Sequence, residues 1–136
     1  MIDFALWEYV RTLTTDSVYY GSANNAETPY HVFYKLEDPE RPETLCQDQG
    51  EQGRALFMFE SFAGGQNSFS SPDHSLLFAD TLKRQIAQKK GIITFNGVDY
   101  RIWHNRTTSA VPIDRGSNEV GFYGGQFSVL LYWEII

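Results

Sequence analysis

The stretch GIITFNGVDYRIWH, residues 91–104, holds an Asn-Gly pair between two runs of β-branched and aromatic residues. Asn96 and Gly97 suit the two central positions of a type I′ turn, because both positions need a positive φ. This is the strongest short hairpin signal a sequence can carry. The stretch therefore predicts a β-hairpin whose strands are Ile92–Phe95 and Val98–His104.

The segment before the hairpin, SSPDHSLLFADTLKRQIAQKKG, is the clearest helix in the chain. Ser71 is a good N-cap residue and Pro72 fits the first helical position. An apolar residue recurs every fourth position on one face: Phe78, Leu82 and Ile86. The pattern places the lysines 89–90 in the last turn, where they complement the negative end of the helix dipole, and Gly91 as the residue that ends the helix.

The remaining segments predict a short helix and several strands. Residues 3–14 carry apolar residues at helical spacing, with Asp3 as a candidate N-cap. The predicted strands are Ser17–Tyr20, Tyr30–Leu36, Arg54–Phe62 and a long C-terminal strand through Phe127 to Ile136. Two long loops, 38–53 and 105–126, separate them.

This order of elements predicts the fold class α+β. We expect a mostly antiparallel sheet, with the short N-terminal helix and the longer helix packed on one face and long loops between the strands. The chain has 136 residues, which is enough for one domain, and we expect that domain to cover residues 1–136. Arg54–Phe62 is apolar on both faces through Phe59, which predicts a central position in the sheet.

Composition excludes several classes of function. The formal net charge is -6, and a protein that coats nucleic acid needs clustered Lys and Arg instead. Cys46 is the only cysteine, so an intrachain disulfide is excluded and a reducing cytoplasm is the expected compartment. The N-terminus MIDFALWEYV has no basic region typical of a signal peptide, and no apolar run approaches the length of a membrane span.

The charges are unevenly distributed along the chain. Carboxylates crowd residues 37–51, whereas bases gather near the end of the predicted helix at 83–90. Such a molecule can pair head to tail with copies of itself, although solvated charged faces give the same pattern. Three arginines lie in the hairpin and in the loop after it, close in sequence to Tyr100 and Trp103; the interspersed acids favour a protein contact over a nucleic-acid patch. The candidate interface residues are Glu37, Asp38, Glu40, Arg41, Glu43, Asp48, Glu51, Arg101, Arg106 and Arg115.

No catalytic signature is present in the sequence. The three histidines, His31, His74 and His104, form no metal-binding motif, and we interpret them as ordinary surface or strand residues. Cys46 lies among acids that oppose thiolate formation. Nothing fixes the separation of Asp99 and Asp114 as a carboxylate pair. The chain also lacks a phosphate-binding glycine loop and a GxSxG elbow. We therefore predict no catalytic residue, no cofactor and no metal, and a protein that is not an enzyme.

Five segments together resemble a known family. A short N-terminal helix leads to TPYHVFYKLED, and a second strand ends in FESFAGG. The helix SLLFADTLKRQIAQ, the hairpin arm GVDYRIWHN and the closing strand GGQFSVLLYWE follow. In this order they resemble the small tail-terminator proteins (tail completion, head–tail joining) of long-tailed bacteriophages, over nearly the whole chain.

The resemblance implies a structural role without catalytic residues. Members of the family form a six-fold ring that caps the tail tube, stops its polymerisation and receives the head. The implied partners are therefore further copies of the chain in a hexamer, the tail tube protein and a head-completion or neck protein. DNA would pass through the lumen without specific binding, and no membrane is involved. The protein would be part of the virion, assembled in the host cytoplasm, with the loop 38–53 facing the tube or a ring neighbour.

Two other functions remain open from the sequence. One is another phage neck or minor tail adaptor. The other is a small ligand-binding or enzymatic α+β domain, which a deep apolar pocket lined by polar groups would favour. A flat sheet edge with long loops would favour the assembly roles.

Overall fold

The computed structural model describes residues 2–22, 29–36, 52–64, 72–88, 91–114 and 123–136. Within these ranges it has two helices, α1 (Ile2–Leu13) and α2 (Pro72–Ala87). The strands are β1 (Ser17–Tyr20), β2 (Tyr30–Leu36), β3 (Gln52–Gly64), β4 (Gly91–Phe95), β5 (Val98–Thr107), β6 (Val111–Asp114) and β7 (Tyr123–Ile135). The predicted fold class, α+β, is confirmed.

All of these strands belong to one sheet in the order β1-β2-β3-β7-β5-β4, with β6 also paired to β7. β1 runs parallel to β2, and the other pairs are antiparallel. β7 is the organising strand, because β3 pairs along one edge of it while β5 and then β6 pair in succession along the other. β3 lies between β2 and β7, so its predicted central position is confirmed.

The hairpin predicted from Asn-Gly is present as β4 and β5. Phe95 pairs with Val98 across the turn, and the register continues to Gly91 and Ile102. Asn96 and Gly97 have φ values of 56° and 79°, the left-handed region that the primed hairpin turn requires.

One face of the sheet is buried under both helices. Phe33, Phe59 and Phe127 are register partners on β2, β3 and β7. Their rings stack with centroids 4.6 Å apart for the first pair and 5.0 Å for the second. All three are buried, in the same cluster as Leu6 of α1 and Leu82 of α2. The core therefore lies between this face and the helix layer.

The opposite face of the sheet carries a different set of residues. Because side chains alternate along a strand, Leu56 and Met58 of β3 and Leu130 and Tyr132 of β7 point away from the helices. These side chains are half-buried. A smaller buried cluster of Tyr30, Val32 and Phe62 lies at one end of this face.

The structure corrects the predicted end of the long helix. α2 ends at Ala87, where Gln88 N–H still donates to Arg84 O, and the lysines 89–90 predicted for its last turn lie outside the described residues. Gly91 does not terminate the helix. It begins β4 with a φ of 126° and pairs with Ile102, and the glycine at this position serves the entry into the strand.

The predicted loop 105–126 is also wrong in part. β5 continues to Thr107, Val111–Asp114 form β6, and β7 already begins at Tyr123. The end of β5 and the whole of β6 were missed because hydrogen bonds of their backbone to β7 hold them in the sheet. Such pairing leaves no apolar pattern in the sequence. Gly124 belongs to this pairing: a Cβ there would lie 2.6 Å from the Phe62 ring, so only glycine fits beside that ring. β3 likewise begins at Gln52, inside the predicted loop 38–53.

Asp3 does not cap α1. The residue lies inside the first turn and is buried. Its carboxylate accepts a hydrogen bond of 2.6 Å from the Tyr20 hydroxyl and lies 3.4 Å from Lys35 Nζ. Burial, with the Asp3 hydrogen bond and charge as smaller causes, raises the pKa of Tyr20 above its ordinary value. These two contacts connect α1 to β1 and β2. They also compensate the cost of burying the Asp3 carboxylate, which is high for an unpaired charge.

Replacing Phe59 with alanine tests the central stack. We expect the free energy of unfolding to fall by about 3–5 kcal/mol, because the change leaves a cavity between Phe33 and Phe127. Ile92→Ala is the control, since Ile92 is 46% exposed and should change stability by less than about 0.5 kcal/mol. Urea unfolding measures both values. Equal effects of the two substitutions would contradict a core built on this stack.

Candidate functional site

The structure brings two of the predicted interface arginines to the same face of the sheet. Arg101 and Arg106 lie on β5, opposite Glu134 and Leu130 of β7, and both are exposed. On a regular strand, residues five positions apart would point to opposite faces of the sheet. A β-bulge between Ile102 and His104 shifts the register by one residue, so both arginines lie on the same face. Arg101 Nη1 lies 3.1 Å from Glu134 Oε1, and this face is the one that points away from the helices.

A third arginine joins this surface from β3. Arg54 is the register partner of Tyr132, and its Nη1 donates a hydrogen bond of 3.3 Å to the Tyr132 hydroxyl. Its guanidinium carbon lies 5.9 Å from the ring centroid, within the range of a cation–π contact. We call the surface formed by Arg54, Arg101, Arg106, Tyr132 and Glu134 the arginine face. Sequence reasoning missed Arg54, because only the pairing of β3 with β7 brings it beside the other two.

The arginine face is mixed in charge. Asp99 and Glu60 lie on the same side of the sheet by register, so three carboxylates, with Glu134, accompany the three arginines. Asp99 accepts a hydrogen bond of 2.6 Å from Thr94. Half-buried Leu56 and Met58 lie between the charged groups on β3. A surface with arginine, tyrosine and apolar side chains suits a protein contact better than a run of phosphates.

Not every residue predicted for this surface lies on it. Tyr100, expected beside Arg101, is buried in the core, where it packs edge-on against Trp133 at 5.5 Å. The reason is the alternation of side chains along β5. Asp99 and Asp114 lie toward opposite ends of β7, since Asp99 O accepts from Ile136 N–H while Asp114 pairs with Tyr123. The two residues therefore lie far apart along the sheet.

The remaining predicted interface residues lie outside the described ranges: Glu37, Asp38, Glu40, Arg41, Glu43, Asp48, Glu51 and Arg115. The strand that follows the acidic segment starts beside the arginine face. Gln52 is the register partner of Glu134, and Glu134 pairs with Arg101.

His31 is not the ordinary strand residue that the sequence suggested. Only 2% of it is exposed, and its ring stacks on Phe78 of α2 with centroids 4.4 Å apart. Nδ1 lies 2.6 Å from Ser61 Oγ on β3, its register partner. Nε2 lies 3.8 Å from Asp16 Oδ2, which is too far for a hydrogen bond. A lone histidine in an alternating strand gives no sign of these two partners.

Asp16, His31 and Ser61 lie next to one another and are the residue types of a nucleophilic triad. Its geometry does not match one, because Ser61 is fully buried and the carboxylate makes no hydrogen bond to the ring. Burial lowers the pKa of His31 to about 4, with the nearby Asp16 charge acting weakly in the opposite direction. The imidazole is therefore neutral at physiological pH.

A cavity of about 420 Å³ lies beside His31, between α2 and the turn that joins α1 to β1. Leu13, Leu77, Phe78 and Leu82 supply apolar walls, and Thr14, Thr15, Asp16, Thr81 and Gln85 supply polar groups. A second groove of about 460 Å³ lies on the other side of the same turn and is lined by Trp7 and Arg11, among others. Over the ranges that the structure describes, no three His, Cys, Asp or Glu side chains come together as metal ligands.

No protein-family model matches the chain, and no curated protein matches it significantly in sequence. In the described part of the chain, no helix is both long and apolar enough to cross a membrane.

Acidification tests the environment of His31. Its pKa is lower in the folded protein than in the unfolded chain, so the unfolded chain takes up the proton first as the pH falls. The stabilising contribution is complete above pH 6.5 and is lost as the pH falls from there toward 4. Between pH 7.5 and 4.5 we expect a loss of about 2–3 kcal/mol from this residue.

The control for this experiment is His31→Asn, which keeps a side-chain hydrogen-bonding group near Ser61 but cannot titrate. Asp16, the charged group that faces His31, is present in both proteins, so the difference between their pH profiles isolates the histidine. Urea unfolding at each pH gives the two profiles. Parallel profiles would show that His31 is not held neutral.

Proposed function

We propose that this protein is a structural virion assembly protein, which caps the tail tube of a long-tailed bacteriophage as a hexameric ring and joins the tube to the head. The proposal rests on the resemblance in the order of elements. The observation that supports it physically is the arginine face, a mixed surface on the side of the sheet away from both helices. The protein would be a virion component of the tail and neck, and it would act without catalysis or cofactor.

The arginine face has the properties expected of a contact surface. Its arginines extend from two strands that flank β7, and the apolar side chains between them are only half-buried. Burying such a surface gains hydrophobic free energy, while the arginines supply directional hydrogen bonds to carboxylates. Arginine and tyrosine are also the residue types that carry much of the affinity in protein interfaces.

The chain contains a complementary acidic partner. Residues 37–51 hold six carboxylates and a single arginine, opposite in sign to the three arginines of the surface. We propose that these carboxylates contact the arginine face of a neighbouring copy, which repeats the same contact from subunit to subunit. Such a heterologous contact closes into a ring when the rotation per subunit is right.

The charge of the chain also fits a ring through which DNA passes. A net charge of -6 disfavours tight binding of phosphates, which would hinder transit. The proposed partners are the tail tube protein on one side and a head-completion or neck protein on the other. Another neck or minor tail adaptor could use the same surface. The cavity beside His31 is the observation that favours a small ligand-binding domain instead.

The double substitution Arg101→Glu with Arg106→Glu tests the surface. We expect binding to purified tail tubes to weaken at least about tenfold, because charge reversal sets like charges against the carboxylates of the neighbouring copy. Co-sedimentation with tubes measures the binding, and the phage titre after complementation measures the function.

Lys83→Glu with Arg84→Glu is the matched control. Both residues lie on α2, in the helix layer, and the pair receives the same charge change at the cost of its ion pairs with Asp80. Circular dichroism establishes that each variant is folded. If the arginine-face variant binds tubes and restores the titre as well as the Lys83→Glu, Arg84→Glu control does, the arginine face is not the contact.

A further inference from the structure

We propose that the cavity beside His31 binds a small alkylammonium group. The ammonium would lie between the Asp16 carboxylate and His31 Nε2, and the alkyl chain would lie against Leu77, Phe78 and Leu82. This site is independent of the proposed assembly surface. It lies beside His31, between α2 and the turn that joins α1 to β1, whereas the arginine face points away from both helices.

Asp16 gives the cavity a negative end. It is the only lining residue among those described that carries a charge at neutral pH when His31 is neutral. Its Oδ2 accepts a hydrogen bond of 3.1 Å from Thr14 Oγ1, and 27% of its side chain is exposed. No lysine or arginine of the described ranges lies within 4 Å of this carboxylate, and the one basic side chain of these ranges that does, His31, is neutral.

Arg11, the basic residue that lines the second groove, does not neutralise the charge of Asp16. Arg11 and Asp16 both line that groove, but the two side chains form no ion pair within 4 Å. The Arg11 guanidinium lies 4.4 Å from the Trp7 ring centroid and 3.3 Å from Glu8, so its charge already has a partner. A carboxylate that no cation of the described residues neutralises, at the edge of an apolar cavity, attracts a cation from outside.

His31 supplies the second polar anchor. The ring is held by Ser61 at Nδ1 and by stacking on Phe78, so its orientation is fixed before any ligand arrives. When Nδ1–H donates to Ser61 Oγ, Nε2 carries a lone pair and accepts a hydrogen bond. None of the described residues makes a hydrogen bond to Nε2, and His31 is one of the residues that line the cavity. An ammonium, with three donors and no acceptor, matches a neutral imidazole nitrogen beside a carboxylate.

The other residues of the cavity favour an alkyl chain on the ammonium group and disfavour anions and divalent metal ions. The side chains of α2 that face it include Leu77 and Phe78, which offer an apolar wall to a chain of several methylene groups. An anion would meet the Asp16 charge with no basic residue to compensate it. A divalent metal ion would find only one carboxylate and one imidazole among the described residues, fewer ligands than such ions require.

Titration with n-pentylamine at pH 7.5, followed by amide chemical-shift changes and calorimetry, tests the proposal. We expect saturable binding with a Kd on the order of 1 mM, with the largest shifts at residues 14–16, 31 and 77–85. n-Pentanol, which has the same shape and no charge, should bind at least about tenfold more weakly. Asp16→Asn should cause a similar loss, and Asp16→Glu should retain part of the affinity.

Asp80→Asn is the matched control. Asp80 lies on α2 outside the cavity lining, where it pairs with Lys83 and Arg84, so its removal changes the net charge equally without touching the site. Equal affinity for pentylamine and pentanol, an unchanged affinity in Asp16→Asn, or no saturable binding would each overturn the proposal.

A second titration distinguishes the source of the ammonium. Nα-acetyl-lysine amide carries the same group on a peptide unit. Binding as tight as that of pentylamine supports a site that accepts a lysine side chain, and weaker binding supports a site for a free amine. The arginine-face variants should bind pentylamine like the wild type, so failure of the assembly proposal leaves this result interpretable.

Discussion

The stack of Phe33, Phe59 and Phe127 across β2, β3 and β7 fixes the rest of the structure. All three rings are buried at matched register positions, so a slip of one residue in either pairing would turn a phenylalanine to the other face. This defines which side of every neighbouring strand meets the helices. Aromatic pairs in offset geometry also stabilise beyond the area they bury.

The two faces of the sheet then acquire different roles. The stacked face is sealed by α1 and α2, and the one buried histidine among the described residues lies there, in contact with Phe78 of α2. The opposite face keeps its arginines and half-buried apolar side chains. Assembly and ligand binding are therefore proposed for surfaces that share no residue. A substitution on one should leave the other unchanged, because independent distant sites usually behave additively.

Local patterns in the sequence were enough to predict the hairpin and the strand Tyr30–Leu36. Asn96-Gly97 identified the hairpin, and alternation identified Tyr30–Leu36 with the bounds that the structure has. β6 was missed because it has only four residues, VPID, and one of them is a proline, which disfavours a strand; pairing with β7 holds the segment in the sheet. The same limit applies to the sites. His31 and Ser61 are 30 residues apart, and Arg54 and Tyr132 are 78 apart, so only the folded sheet reveals either contact.

Electron microscopy of lysates from a phage that lacks this gene tests the assembly role most directly. The account predicts overlong or headless tails beside DNA-filled heads, because nothing would stop the growth of the tube or join it to the head. Complementation with the wild-type chain should restore normal particles. Normal infectious particles from the deletion phage would contradict the assembly role, whatever the isolated protein binds.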